Sequence, residues 1–153
     1  MNNLEIEQAI ESDLEEILAL QKLCYQSEAA IYNDYSIQPL VQDIASIRQE
    51  HIEGKIFKAT FQKQVIGSVR TYEKNGTCFV GKLIVHPDFQ NKGLGKKLLF
   101  HCEDEHKTCS RFELFTGYKS EKNLYLYDKL GYREFKRQKA NNAPYLVFME
   151  KLV

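Results

Sequence analysis

The chain has 153 residues, of which 43% are hydrophobic and 27% are charged. This length and composition indicate one globular domain that covers residues 1–153 and buries a sizeable core. Its 21 Lys and Arg residues balance its 21 Asp and Glu residues, so no overall charge favours nucleic acid or an acidic membrane surface as a partner.

The N-terminal third predicts one strand followed by two helices. Residues 4–9 alternate apolar and polar side chains, which is typical of a short strand. Residues 12–13 are a Ser-Asp cap for a helix whose apolar side chains, within 14–20, fall on one face. After a tyrosine-rich loop over residues 25–37, a second helix is predicted over about 39–54, with proline near its start and glycine at its end.

The middle of the chain predicts three consecutive strands. Residues 56–61 and 65–72 form the first two, and residues 77–85 form the third. Asn75-Gly76 precedes the third strand, and this pair tolerates the positive φ of a type I′ turn, so the last two strands should form a hairpin. Gly81 is a candidate position for a bulge in the third strand.

The C-terminal part predicts a helix, a strand, a second helix and two closing strands. The first helix begins after Gly95, the strand covers residues 112–116 and the second helix covers 122–130. The closing strands cover 135–137 and 146–151, and a polar loop at 140–144 separates them. The whole order is therefore βααβββαβαββ, and the sequence shows neither an internal repeat nor a linker.

The most informative stretch is the passage from strand to helix around residue 90. The apolar strand ends in a turn at residues 86–88, and Gln90, Gly93 and Gly95 follow just before the helix. The first turn of a helix leaves backbone N–H groups unpaired and has a partial positive charge. Because the glycines carry no side chain that would block these amides, the stretch predicts a site for a phosphate-bearing ligand.

Two common phosphate-binding motifs do not fit this stretch. A Walker A loop requires Gly five residues before Gly95 and Ser or Thr after Lys96, but the sequence has Gln90 and Lys97 there. A dinucleotide-binding fingerprint requires a third glycine where Leu98 stands. What remains is Gln-x-x-Gly-x-Gly between a strand and a helix.

This motif resembles the pyrophosphate-binding motif of the GNAT superfamily of acyl-CoA-dependent N-acetyltransferases, and residues 83–96 follow the family's pattern. Residues 120–132 resemble the family's later motif, a helix that contains Asn-x-x-x-Tyr and closes on Leu-Gly-aromatic. The resemblance implies an α/β (α+β) fold with a mixed, mostly antiparallel sheet of about seven strands flanked by four helices. It also implies acetyl-CoA as cosubstrate.

Cofactor binding is expected mainly from backbone groups. The amides from Asn91 to Lys96 would hold the pyrophosphate, and the resemblance implies that Leu83 to Val85 pair with the pantetheine arm and that Asn123 or Ser120 contacts the cofactor. An N–H group near Val85 would stabilise the oxyanion. The complete expected set is Leu83, Ile84, Val85, Gln90, Asn91, Lys92, Gly93, Leu94, Gly95, Lys96, Ser120 and Asn123.

Two catalytic residues are hypothesised. Tyr127 matches the tyrosine that the family commonly uses as general acid, and a phenol can donate a proton near neutral pH. Glu113, on the strand before that helix, is the first hypothesis for the general base, because some relatives use a glutamate on that strand. Glu73, His86 and proton loss directly to solvent remain alternatives.

The acceptor site is expected in the tyrosine-rich loop between the two N-terminal helices. Tyr25, Glu28, Tyr32, Asp34 and Tyr35 cluster there, and carboxylates beside aromatic faces suit a cationic amine. An ordinary solvated loop with two tyrosines anchored in the core explains the same pattern equally well.

The four cysteines are expected to be reduced. They stand at 24, 78, 102 and 109 without a Cys-x-x-Cys pair, and nothing in the sequence marks secretion. Cys102, His106 and Cys109 could meet at a helix end, but a fourth ligand and zinc-finger spacing are missing. We therefore expect no metal site, with buried thiols beside a solvated histidine.

The leading hypothesis is an N-acetyltransferase that moves an acetyl group directly from acetyl-CoA to a primary amine of a small molecule or peptide, through a ternary complex. The alternative is a non-catalytic CoA-binding sensor or interaction module. The N-terminus lacks the pattern of a signal peptide and no apolar run reaches about 20 residues, so we expect a cytoplasmic protein. The sequence leaves a homodimer open.

Overall fold

A seven-stranded sheet with helices on both faces organises the chain. The structure, a computed structural model, describes residues 3–139 and 145–153, and the loop expected at 140–144 lies outside these ranges. The strands are β1 (Leu4–Gln8), β2 (Lys55–Phe61), β3 (Gln64–Lys74), β4 (Thr77–Val85), β5 (Arg111–Gly117), β6 (Arg133–Lys139) and β7 (Tyr145–Leu152). The α-helices are α1 (Leu14–Cys24), α2 (Gln26–Tyr32), α3 (Gln38–Val41), α4 (Ile44–Glu53), α5 (Leu94–Glu105) and α6 (Glu121–Lys129).

The strand order is β1-β2-β3-β4-β5-β7-β6. The pair β4–β5 is parallel, and the other five neighbouring pairs are antiparallel. The parallel pair requires a crossover, which α5 supplies, whereas the antiparallel neighbours need no helix between them. The expected mixed, mostly antiparallel sheet of seven strands is confirmed.

The sheet has a separate hydrophobic core on each face. On one face, α1 and α4 bury residues such as Leu14, Ile17 and Ile47 against the sheet. On the other face, α5 and α6 pack with residues such as Leu98 and Tyr127 in a larger cluster. Fully burying an aliphatic side chain of this size stabilises the fold by roughly 1.5–3 kcal/mol, so both helix layers are firmly attached to the sheet.

The N-terminal half contains two more short helices than expected. The predicted loop at 25–37 includes α2, which follows α1 after the single residue Tyr25. The predicted helix at 39–54 is divided into α3 and α4, because Gln42 is extended and turns its side chain into the interior, where it is 3% exposed. Asp43 then caps α4 by accepting a hydrogen bond from the amide of Ser46 at 2.9 Å.

The predicted hairpin between β3 and β4 is confirmed. Asn75 and Gly76 have φ values of 53° and 80°, as a type I′ turn requires at both central positions. The bulge expected at Gly81 is centred one residue later, on Lys82, whose φ is 48°.

All four cysteines are free thiols. In the described ranges, none of the helices is long and apolar enough to cross a membrane.

Candidate active site

An opening between β4 and β5 is the central feature of the candidate site. The two strands are paired only over three residues each, and the pairing ends at Phe79 and Glu113. Beyond this point β4 is bulged, because Lys82 and Leu83 lie opposite the single β3 residue Val69. The bulge bends β4, and the C-terminal halves of β4 and β5 separate.

One backbone amide on β4 faces this opening. The N–H of His86 donates to the carbonyl of Ile66 on β3 at 2.8 Å, and N–H groups alternate between the two edges of a strand. The N–H and C=O of Val85 therefore lie on the edge toward β5. The Val85 carbonyl accepts the thiol of Cys24 at 3.3 Å and the amide of Gln90 at 3.1 Å, which fixes this peptide.

The N-terminus of α5 presents free amides to a ligand. Gly93 is the N-cap with φ 80°, and no side chain caps the helix. The first hydrogen bond of the helix runs from the amide of Lys97 to the Gly93 carbonyl at 3.1 Å. The amides of residues 94–96 come before this bond and therefore have no acceptor within the helix. These are the orphan donors that attract phosphate at a helix start.

Gly95 is the point at which α5, β4 and α6 meet. A methyl group on Gly95 would lie 3.5 Å from Cδ2 of Leu126 and 4.0 Å from Leu83 and Val85. The helix start is therefore next to the β4 edge and to the helix that contains Tyr127. A ligand anchored on the α5 amides can extend directly into the β4–β5 opening.

Several expected cofactor residues have structural contacts of their own. The side chains of Leu94 and Ile84 are buried in the two cores, at 2% and 5% exposure, so only their backbone groups can contact a ligand. The Gln90 side chain donates a hydrogen bond to the Val85 carbonyl and accepts one from Lys122 at 3.5 Å. Asn91 has φ 63° and supplies the left-handed bend of the loop.

A cationic groove of about 630 Å³ lies between α5 and α6, next to Gly93. Lys96, Lys129 and Lys151 line it, together with the exposed rings of Phe100 and Tyr125. Of these side chains, only Lys96 was expected at the cofactor from the sequence, because the packing of α5, α6 and β7 decides which of their side chains line one groove. The groove continues the anion site of the α5 N-terminus along α6.

Tyr127 is buried within electrostatic range of Tyr25 and Glu28. Its side chain is 6% exposed, and burial, reinforced by the negative charge of Glu28, raises the pKa of Tyr127 well above its ordinary value. Burial also raises the pKa of Tyr25, and the negative charge of Glu28 raises it further. Tyr127 is therefore protonated throughout the neutral pH range.

Glu28 is held in place by Ser120. The Ser120 hydroxyl, 3% exposed, donates to Oε2 of Glu28 at 2.7 Å, and Asn123 donates to Thr116 at 3.3 Å. The two side chains expected at the cofactor thus have protein partners, and Ser120 connects α6 to the acceptor side of the site.

The remaining acceptor candidates differ in their surroundings. The Tyr32 hydroxyl accepts a hydrogen bond from the amide of Lys119 at 2.9 Å, which ties α2 to the loop before α6. Asp34 accepts two hydrogen bonds from Ser36 within its own turn. Tyr35 is 56% exposed. Among these candidates, the structure brings Tyr25 and Glu28 to Tyr127.

The structure does not bring Glu113 to Tyr127. Phe112 and Leu114 point into the core on the side of α5 and α6, and side chains alternate along a strand. Glu113 therefore lies on the opposite face of β5, where it forms an ion pair of 2.8 Å with Arg111. This geometry does not favour the hypothesis that Glu113 is the general base.

The two alternative bases are engaged elsewhere. Glu73 lies at the far end of β3 and accepts a hydrogen bond from His106 at 2.9 Å. His86 caps the short 3₁₀ turn after β4, where its Nδ1 accepts the amide of Asp88 at 3.1 Å. Neither side chain is placed beside Tyr127.

A buried polar network behind the bulge was not foreseen. Arg70, 6% exposed, donates to Gln42 at 2.9 Å, to Glu50 at 3.1 Å and to Gln21. Lys82, at the bulge, donates to Glu50 at 3.0 Å. Burial opposes ionisation of Glu50, but the charges of Arg70 and Lys82 lower its pKa below the ordinary value. The partners come from four elements, so no local sequence pattern marks them.

Comparison with known proteins agrees with the motifs. The family model described as "Acetyltransferase (GNAT) domain" matches residues 21–153. This range covers most of the chain, and the chain therefore belongs to the GNAT acetyltransferase family.

Two curated relatives match parts of the chain. YqkA of Bacillus subtilis, a UPF0157 protein, is 29% identical over 126 residues, which are 82% of this chain and 36% of YqkA. The L-amino acid N-acyltransferase MnaT of Escherichia coli is 42% identical over 50 residues, which are 31% of this chain and 29% of MnaT. The matches thus span about a third of the length of each curated relative.

Solved structures of acetyltransferases share the fold. The ribosomal-protein-S18-alanine N-acetyltransferase of Escherichia coli has a TM-score of 0.80 at 16% identity, covering 97% of this chain and 93% of that one. PaiA of Thermoplasma acidophilum, solved with coenzyme A, has a TM-score of 0.75 at 20% identity, covering 98% and 99%. The yncA protein of Salmonella typhimurium, solved with acetyl-CoA, has a TM-score of 0.74 at 22% identity, covering 99% and 94%. The predicted family and fold are confirmed.

Proposed function

We propose that this chain transfers an acetyl group from acetyl-CoA directly to a primary amine of a small molecule or peptide, with both substrates bound at once. The observation behind the proposal is the meeting of three features at the β4–β5 opening. These are the free amides of the α5 N-terminus, the inward-facing N–H of Val85, and the buried phenol of Tyr127 with the half-buried carboxylate of Glu28 near it.

Acetyl-CoA would bind with its pyrophosphate on the amides of residues 94–96. The groove lined by Lys96 and Lys129 suits the remaining phosphate group of the cofactor. The pantetheine arm would run along the free edge of β4 at residues 83–85, which places the thioester in the opening. Acetyl-CoA and coenzyme A are the ligands present in two of the similar structures.

Transfer requires a neutral amine, a stabilised oxyanion and a proton for the leaving thiolate. As the amine nitrogen attacks the thioester carbon, a C–N bond forms and the C–S bond breaks when the tetrahedral intermediate collapses. The N–H of Val85, on the edge of β4 that faces the opening, would donate to the oxyanion, and one such donor typically contributes about 3 kcal/mol. Tyr127 then gives its phenolic proton to the CoA thiolate, and the phenolate regains a proton from the nitrogen, which loses one as the amide forms.

The raised pKa of Tyr127 is compatible with this role. A thiolate produced in the same partly buried space is also destabilised by loss of water. Cys24, whose thiol contacts the Val85 carbonyl, illustrates this effect, because burial raises its pKa to about 11. The thiolate is therefore a stronger base here than in water, and proton transfer from the phenol is correspondingly easier.

Glu28, one of the acceptor-site residues expected from the sequence, would bind the incoming amine. Its carboxylate is fixed by Ser120 at 2.7 Å, and its charge acts on both Tyr25 and Tyr127. A carboxylate next to two phenol rings favours a cationic ammonium group. In this proposal the ammonium loses its proton to solvent by way of Glu28.

The first test combines ligand binding with turnover. Acetyl-CoA at a hundredfold excess over its dissociation constant stabilises a protein by about 2.7 kcal/mol, which raises Tm by roughly 5–10 °C for a domain of this size. Release of CoA thiol would then be measured with polyamines, aminoglycosides, amino acids and peptide N-termini. No rise in Tm at millimolar acetyl-CoA would overturn the binding site. A rise without turnover on any amine would favour the non-catalytic CoA-binding module.

A further inference from the structure

A compact cluster of metal-ligating side chains lies at the opposite end of the sheet from the β4–β5 opening. Oε2 of Glu73 is 2.9 Å from Nδ1 of His106, and Oε1 of Glu73 is 2.9 Å from Sγ of Cys109. The ligand atoms of all three residues lie within 4.8 Å of one another. This arrangement has no part in the proposed acetyl transfer.

The three residues come from separate elements that the fold brings together. Glu73 is near the end of β3, His106 directly follows α5, and Cys109 precedes β5. His106 and Cys109 are 2% and 3% exposed, whereas 47% of the Glu73 side chain is exposed. The expectation of a solvated His106 is thus wrong, and the cluster is an interior site closed on its solvent side by one carboxylate.

The His106 ring is oriented by a second hydrogen bond. Its Nε2 is 2.9 Å from the hydroxyl of Thr71, which is itself 3% exposed. A ligating histidine typically has its other ring nitrogen bonded to a protein group, and this bond fixes the ring and its tautomer. Thr71 holds the ring so that Nδ1 faces Glu73 and Cys109.

A second thiol stands beside the cluster. Cys78 is the register partner of Glu73 across β3 and β4, so the two side chains share one face of the sheet. Cys102, which the sequence grouped with His106 and Cys109, is instead fully buried in the hydrophobic core.

We propose that Glu73, His106 and Cys109 form a zinc site, with water or Cys78 as the fourth ligand. Thiolate, imidazole and carboxylate are the three ligand types that Zn²⁺ takes in tetrahedral sites. On binding, the Cys109 thiol releases its proton to solvent. Without metal, the imidazole proton is on Nδ1, because the Glu73 carboxylate can only accept a hydrogen bond. When Nδ1 binds the ion, the proton moves to Nε2, which then donates to the hydroxyl of Thr71. The ion would join the C-terminus of α5 to β3 and to the start of β5.

Cobalt(II) is the probe for this site, because a thiolate bound to Co²⁺ gives a charge-transfer band in the near ultraviolet. The purified full chain, first treated with a chelator, would be titrated with Co²⁺ and then with Zn²⁺. We expect a band that saturates at one Co²⁺ per chain and disappears when Zn²⁺ displaces the cobalt. The band should be absent in Cys109→Ser, which keeps a hydroxyl donor for Glu73, and present in the matched thiol control Cys24→Ser.

Three further variants make the assignment specific. Glu73→Gln should weaken Co²⁺ binding, and Thr71→Val should weaken it about tenfold, because partners of a ligating histidine commonly affect affinity by 10–100-fold. A band of half intensity in Cys78→Ser would identify Cys78 as the fourth ligand, and an unchanged band would identify water. Failure of the folded wild-type protein to give a band at excess Co²⁺ would overturn the proposal. A band that persists in Cys109→Ser would also overturn it.

Discussion

Ser120 and Glu28 are joined by a hydrogen bond of 2.7 Å although they are 92 positions apart in the chain. Ser120 is the N-cap of α6, and Glu28 lies in the first turn of α2. The bond therefore ties the helix that contains Tyr127 to the segment expected to receive the acceptor. It holds a carboxylate near the proposed proton donor, so that Glu28 can act on the amine while Tyr127 acts on the thiolate of the same reaction.

Replacing Glu28 by Gln should impair use of the amine while leaving the cofactor site intact. The amide oxygen of Gln can still accept the hydroxyl of Ser120, so the local structure is preserved. The charge that attracts the ammonium group is lost, and losing one partner of such a pair costs about 2 kcal/mol or more. We expect KM for the amine to rise at least tenfold in steady-state assays of thiol release.

The control for this variant is Glu15→Gln, which removes the same charge from an exposed position on α1. Its KM for the amine should equal that of the wild type, and both variants should show the wild-type rise in Tm with acetyl-CoA. An unchanged KM in Glu28→Gln would contradict the proposed role of Glu28.

Tyr127→Phe should reduce kcat about 100-fold or more, which is the usual contribution of a positioned proton donor. The ring remains to fill the core, and the hydroxyl is the only group removed, so the dissociation constant of acetyl-CoA should stay within about twofold. Rapid-mixing measurements of acetyl transfer would test this in a single turnover. Binding would be measured separately by calorimetry.

Tyr72→Phe provides the matched control, since Tyr72 is 49% exposed on β3 and has no proposed role in cofactor binding, amine binding or proton transfer. It should retain wild-type kcat. If Tyr127→Phe also retained wild-type kcat, the phenol would be only a core aromatic and another donor would have to protonate the thiolate.

The parts of the molecule that the sequence predicts well are those specified by neighbouring residues. Asn75-Gly76 specifies its turn through two positive φ values, and the glycines before α5 expose helix amides within one short segment. The Ser120–Glu28 bond and the partners of Arg70 depend on the packing of distant elements. Side-chain alternation along β5 can be derived from the sequence, but which face holds the site depends on the packing of α5 and α6, so the sequence alone does not place Glu113 relative to Tyr127.

Gly95→Ala should separate cofactor binding from stability. The added methyl would meet Leu126 at 3.5 Å, an ordinary contact, and Leu83 and Val85 at 4.0 Å. Because alanine favours helix over glycine by up to about 1 kcal/mol, Tm without ligand should stay equal or rise. The methyl occupies the approach from the α5 amides to the β4 edge, so the dissociation constant of acetyl-CoA should increase at least tenfold.

Calorimetric titration with acetyl-CoA would test this expectation, with Lys97→Ala as an exposed control on the same turn of α5. The control should bind acetyl-CoA within a factor of about two of wild type. Wild-type affinity in Gly95→Ala would show that the cofactor does not pass this position.

Glu50→Gln should lower stability in a pH-dependent manner. Arg70 and Lys82 lower the pKa of Glu50 below its ordinary value of 4.5, against the opposing effect of burial. A carboxylate with a lowered pKa in the folded state stabilises the fold above its unfolded pKa, and this contribution is lost as the pH falls through the folded value. At pH 7 we expect the free energy of unfolding to fall by about 2 kcal/mol. This loss is smaller than is usual for a fully buried ion pair, because the Glu50 side chain is 31% exposed.

Thermal melts of wild type and Glu50→Gln between pH 7 and pH 2 would measure this difference. The two Tm values should differ by roughly 4–8 °C at pH 7, begin to converge below about pH 4.5, and coincide once Glu50 is protonated in the folded wild type. Glu53→Gln, an exposed change on the same helix, should follow the wild-type curve throughout. A gap of constant size at every pH would mean that Glu50 contributes through packing and hydrogen bonding, and that its charge does not stabilise the Arg70 network behind the β4 bulge.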